Sequence, residues 1–262
     1  NDDFEQALDN IFYHPNVGPF VSKLLIQQLV TSNPTPTYVE RVAAKFNNNG
    51  EGIRGDMKAV IRAILTDPEA RGNIKTDPDY GHLREPVLFV TNVLRPFNPT
   101  SNGGQPVVCQ GRSDGVLNLV TARLDQDVFN PPSVFNYYSL EYALPGTNLI
   151  APEFGIFSTG TALKRPNFIN LMVFNGGIQN GTNIPCGTKI GLDYLITLME
   201  RDNTGELLVD YLNRNMLHGS MSAPVRQHIL DAVQAVSVKD LDERAKTALY
   251  LISTSPQFQV QR

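Results

Sequence analysis

Four carboxylates, Asp125, Asp127, Glu141 and Glu153, flank a stretch rich in aromatic residues. Carboxylate pairs beside aromatic rings are what a glycosidase cleft uses. One carboxyl group protonates the leaving oxygen, and the other acts as base or nucleophile. Tyr137, Tyr138, Tyr142 and Phe154 are the rings placed to stack on a sugar or to contact another partner. The competing reading carries more weight: Asp125 and Asp127 end a solvated helix, and the rings fill a long loop. His14 is a candidate base or ligand, two roles an imidazole commonly takes. In His14-Pro15-Asn16 it also reads as the start of a helix, with proline setting the turn and asparagine capping it. That second reading is preferred.

The remaining chemistry is sparse. His82, His218 and His228 show no metal-ligand spacing. Ser220 and Ser222 lack the G-x-S-x-G elbow. No phosphate loop or dinucleotide fingerprint is present, so no cofactor and no metal site are expected. Asn47 to Asp56 has oxygens and a turn glycine, yet asparagine supplies no charge for Ca²⁺. Within it, Arg54-Gly55-Asp56 reads as the opening of a helix at Asp56, whose carboxylate complements the helix dipole. Cys109 and Cys186 both lie in Gly/Pro-rich segments. They read as a disulfide formed in an oxidising compartment, or as two unrelated thiols.

These groups sit in a chain of 262 residues that is 41% hydrophobic and only 18% charged, below the ~25% usual for globular proteins. Asparagine supplies the polar surface instead, with 23 residues beside 20 glycines and 18 prolines. That surface tips the cysteines towards the disulfide and the chain towards export. A net charge of −4 argues against nucleic acid as a partner. No apolar run approaches the ~18 residues of a membrane span. The chain opens at Asn1 with no methionine and no signal-peptide pattern, and is read as a mature or trimmed piece.

The elements that must position these residues are helices. Apolar residues recur at three- and four-residue spacing at Phe20, Val21, Leu24, Leu25 and Leu29, at Tyr38, Val39, Val42 and Phe46, and at Met57, Val60, Ile61, Ile64 and Leu65. Thr35 with Pro36, and Asp67 with Pro68, punctuate them. Further helices are expected over about 83–94, 116–124, 163–173, 192–199, 207–217, 225–236 and 241–252. No alternating run is long enough for a sheet. The expected fold is all-α: an array of short amphipathic helices carrying long irregular loops, in a single domain over 1–262. Sub-units over 1–95 and 161–262, joined by the loop-rich 96–160, are a further possibility. The aromatics of 131–160 fit an ordered loop, and such loops carry function disproportionately.

Several blocks together resemble a known family. They are His14-Pro15-Asn16-Val17, Phe46-Asn47-Asn48-Asn49-Gly50, Arg54-Gly55-Asp56-Met57-Lys58-Ala59, Leu83-Arg84-Glu85-Pro86, Pro131-Pro132-Ser133-Val134-Phe135-Asn136 and Ser255-Pro256-Gln257-Phe258-Gln259. The chain resembles the carboxy-terminal half of the bacterial domain-of-unknown-function 1800 family. The resemblance implies a longer parent protein whose amino-terminal part would be a partner of this chain. It also implies a periplasmic or extracellular location, and it supplies no reaction. The expected function is an exported or envelope-associated structural or interaction module, binding a protein partner or surface polymer through its loops. The alternative is part of a hydrolase acting on an extracellular polysaccharide or other polymer, which calls for two of the carboxylates ~5–10 Å apart in an open cleft.

Overall fold

The structure is a computed structural model and describes residues 2–100, 116–179 and 186–262. The fold is mainly α, as the periodicity requires; strand among the described residues amounts to β1 (His82–Leu83) and β2 (Val260–Gln261). The chain forms two compact units. One takes Asn1–Leu83, Tyr138–Phe154 and Arg262; the other takes Arg84–Tyr137 and Gly155–Gln261.

The first unit carries α1 (Asp2–Phe12), α2 (Val17–Leu29), α3 (Pro36–Asn47), α4 (Met57–Thr66) and α5 (Pro68–Arg71). Helices α2, α3 and α4 pack on one another around Ile26, Tyr38, Val42, Phe46, Val60 and Ile64. Their starts follow from local chemistry. Thr35 Oγ1 accepts from Tyr38 N, 3.2 Å away, and Asp56 Oδ1 accepts from Lys58 N and Ala59 N. Asp67 ends α4 and caps α5 by accepting from Glu69 N at 2.9 Å. Asn16 precedes α2 without a side-chain cap; its own N–H donates to His14 Nδ1 at 3.2 Å instead. Helix α1 is an addition to the sequence expectation, and none of its residues is buried.

The second unit carries α6 (Pro86–Leu94), α7 (Val116–Arg123), α8 (Thr159–Val173), α9 (Asp193–Arg201), α10 (Glu206–Met216), α11 (Ala223–Ala235), α12 (Leu241–Thr254) and α13 (Pro256–Gln259). Helix α12 is central, touching α8, α9, α10, α11 and α13. Its Ala245 and Ala248 are fully buried, and their small side chains let neighbouring helices approach closely. Helix α6 starts three residues later than the periodicity suggests. Proline disfavours helix in the residue before it, so Glu85 is extended and Pro86 takes the first helical position. Helix α8 starts four residues earlier, at a capping box in which Ser158 and Thr161 exchange bonds.

Candidate functional site

The irregular segment after α7 is built on Asp127. Asn118 Nδ2 on α7 donates to Asp127 Oδ1 at 2.7 Å, and Asn118 Oδ1 accepts from Val128 N at 3.0 Å. Asn130 Nδ2 donates to Asp127 Oδ2 at 2.8 Å, and the Tyr137 hydroxyl donates to the Asp127 carbonyl. The bonds from Asn130 and Asn118 hold the Asp127 carboxyl below the usual carboxylate range, against a small opposing effect of burial. Further along, Ser133 accepts from Phe135 N through its hydroxyl and from Asn136 N through its carbonyl. The base is fixed by Gln126, which is buried. Its Oε1 accepts from Val87 N at 2.8 Å, and its Nε2 donates to Glu85.

This scaffold turns apolar side chains outward. Phe129 is 98% exposed, Val134 94% and Phe135 82%. Phe129 and Asn136 adopt positive φ, 66° and 74°, a conformation that costs a non-glycine residue about 1–2 kcal/mol and is held here by the surrounding bonds. No charged residue occurs from 128 to 140. The result is a hydrogen-bonded loop with an apolar tip.

The aromatic residues singled out from sequence are less exposed. Tyr137, Tyr142 and Phe154 are half-buried and Tyr138 is buried. The exposed Phe129, Val134 and Phe135 were not singled out. Their signal was Pro131-Pro132 between apolar residues, bounded by an Asp-x-x-Asn turn and free of charge.

The four carboxylates are engaged separately. Asp125 lies two residues past α7 with φ 68°, and Asp127 organises the loop. Glu141 pairs with Lys23 at 2.7 Å on the surface of the first unit. Glu153 is 2% exposed; its Oε2 accepts from Ser32 Oγ at 2.8 Å, and its Oε1 lies 3.6 Å from His82 Nδ1. Neither ring nitrogen of His82 has a hydrogen-bond partner. In this buried trio the carboxylate stands between hydroxyl and imidazole. The imidazole is therefore not placed to take the serine proton, as nucleophilic catalysis requires. Cys186 is buried, and Cys109 lies outside the described residues. Among the described residues, no group of three or more His, Cys, Asp or Glu side chains is placed to hold a metal.

His14 is exposed, and with its Nδ1 taken by Asn16 N it belongs to a structural lock. Arg54 donates to the carbonyls of Phe12 (3.1 Å) and His14 (3.2 Å) and to Asn47 Oδ1. Its guanidinium carbon lies 5.5 Å from the Phe12 ring centre and 5.0 Å from that of Phe46. A family model described as a protein of unknown function, DUF1800, matches residues 1–260. The chain belongs to the DUF1800 family. No curated protein and no solved structure matches it.

In this DUF1800 chain three of the resembling blocks meet at Arg54: His14-Pro15, Phe46-Asn47 and Arg54-Gly55-Asp56. Gly55 is required there, because its φ is +76° and a Cβ would lie 2.8 Å from the Phe12 ring. The asparagine oxygens of the same loop are spent on backbone. Asn48 Oδ1 accepts from Gly50 N and Gly52 N, and Asn49 Oδ1 from Glu51 N and Ile53 N. These DUF1800 motifs hold the first unit together, whereas the 131–136 block displays apolar side chains.

Proposed function

We propose that the chain is an exported interaction module that binds a protein partner or surface polymer through the apolar tip of the 128–136 loop. One observation carries this reading: Phe129, Val134 and Phe135 stand in water on a loop that is already hydrogen-bonded into place. Burying such a side chain gains about 1.5–3 kcal/mol, and a rigid loop loses little ordering entropy on binding. Convex aromatic anchors of this kind are what partner pockets receive. Export is supported by the charge-poor, asparagine-rich composition. A Cys109–Cys186 disulfide belongs to the same proposal, supported by the place of both cysteines in Gly/Pro-rich segments. No helix among the described residues is long and apolar enough to cross a membrane.

The test compares the chain with its Phe129→Ser/Phe135→Ser variant for retention on envelope proteins and on surface polymer from a bacterium that encodes it. Both positions are exposed, so melting should be unchanged. Losing two anchors at the low end of the burial gain weakens retention by roughly a hundredfold. Equal retention of the two proteins on both materials overturns the reading.

A further inference from the structure

We propose that the first unit pairs with a second copy of the chain by reciprocal docking of α1 on α4. Each helix has an apolar stripe facing solvent. On α1, Phe4, Leu8 and Ile11 are 65%, 46% and 63% exposed at i, i+4 and i+7, one face of a helix. On α4, Val60 and Ile64 face the core while Met57, Ile61 and Leu65 are each about 40% exposed at i, i+4 and i+8. At 1.5 Å per residue the stripes run for roughly 10 and 12 Å, so they match in length.

The charges beside the stripes commit the occupant. Glu5 and Asp9 border the α1 stripe, and Lys58 and Arg62 border the α4 stripe. None of the four takes part in an ion pair. At 100° per residue the acids of α1 and the bases of α4 lie on the same rotational side of their stripes. Antiparallel facing helices bring those two edges together, whereas parallel facing helices separate them. An antiparallel α1–α4 contact therefore covers both stripes and pairs all four charges. Within its own chain α1 is held off this position. Arg54 grips the Phe12 and His14 carbonyls at its end, and none of its residues is buried. A second copy presents its α4 to this α1 and its α1 to this α4, and a two-fold axis makes both contacts at once.

The test is sedimentation of the whole chain over rising concentration. The expected result is a reversible dimer. Charge reversal on either helix, Glu5→Lys/Asp9→Lys or Lys58→Glu/Arg62→Glu, should weaken it at least tenfold, and combining the two should restore it, because like charges then face opposite ones again. All four side chains are exposed, so loss of fold does not confuse the readout; an apolar-stripe variant, Ile61→Asp, should weaken the dimer on its own. A monomer at every concentration overturns the proposal. So does a dimer indifferent to the charge reversals, or a charge-dependent melting temperature without concentration dependence, which marks docking within one chain.

Discussion

Replacing Arg54 tests whether the family motifs act as a structural lock. Its guanidinium makes two hydrogen bonds to carbonyls and one to Asn47, and it lies over two rings. A hydrogen bond from a charged donor contributes about 1.5–3 kcal/mol, and an exposed cation–π contact about 0.5–1. Arg54 is half-buried, so the low ends apply, and water replaces part of what is lost at the carbonyls. Contacts sharing one group do not add. Arg54→Met should then cost roughly 2–3 kcal/mol, well short of the sum. Arg54→Lys should recover less than half, because an ammonium lacks the planar fork that spans three acceptors and stacks between rings. Urea unfolding followed by far-UV circular dichroism reads the loss, since the chain has no tryptophan to report by fluorescence. A lysine variant as stable as the parent would show that charge alone suffices, and the lock as described would be wrong.

Two further outcomes follow from buried groups. Asp67 is 7% exposed; burial pushes its carboxyl up, but the Arg41 fork (2.8 Å at both oxygens) and the Glu69 N–H outweigh it and hold the group below its ordinary value. A folded value below the unfolded one means a contribution present above the unfolded pKa and lost as pH falls through the folded one. Asp67→Asn should therefore lower stability at pH 7 and flatten its decline on acidification; parallel decline in the two proteins refutes the assignment. For the cysteines, non-reducing peptide mass mapping of protein from its native source should find Cys109 joined to Cys186. The bond would close a loop of about 77 residues, worth roughly 4.5 kcal/mol in the chain-entropy model; two alkylatable thiols would remove that support for export.

Helices were legible where a cap or proline agreed with the period. Thr35-Pro36, Asp56 and Asp67-Pro68 each mark an observed boundary, because these signals act within four residues. Ser222 has a residue type that suits a cap, yet it stands at the helix start with no bond to its side chain, since proline and helix-forming neighbours set that end. Helix α1 carries the right spacing, but no proline marks its start and its stripe meets no core. The loop was legible as ordered but not in its facing. Which rings point inward depends on bonds such as Val87 N to Gln126, 39 positions apart. Glu153 looked like surface chemistry because its partner Ser32 is 121 positions away.

Arginine does in this chain what paired charges do in others. The last carbonyls of a helix have no partner within it and carry the negative end of its dipole. Arg54 takes Phe12 O at the end of α1, and Arg71 takes Leu65 O near the end of α4. Arg244, on α12, takes Val233 O and Val236 O at the end of α11 and reaches Asn203 O as well. Arg84 takes Phe258 O on α13 and lies over that ring, while Arg165 takes Arg84 O at 2.9 Å and Gln259 Oε1 at 2.8 Å. Neither Arg84 nor Arg165 has a carboxylate partner among the described residues, and burial pushes both guanidinium groups down to about 10. They stay charged near neutral pH and hold carbonyls and ring faces instead. Such a device suits a chain with few charges and many irregular segments, because one planar group with five donors ties distant carbonyls, to which a carboxylate has no proton to give.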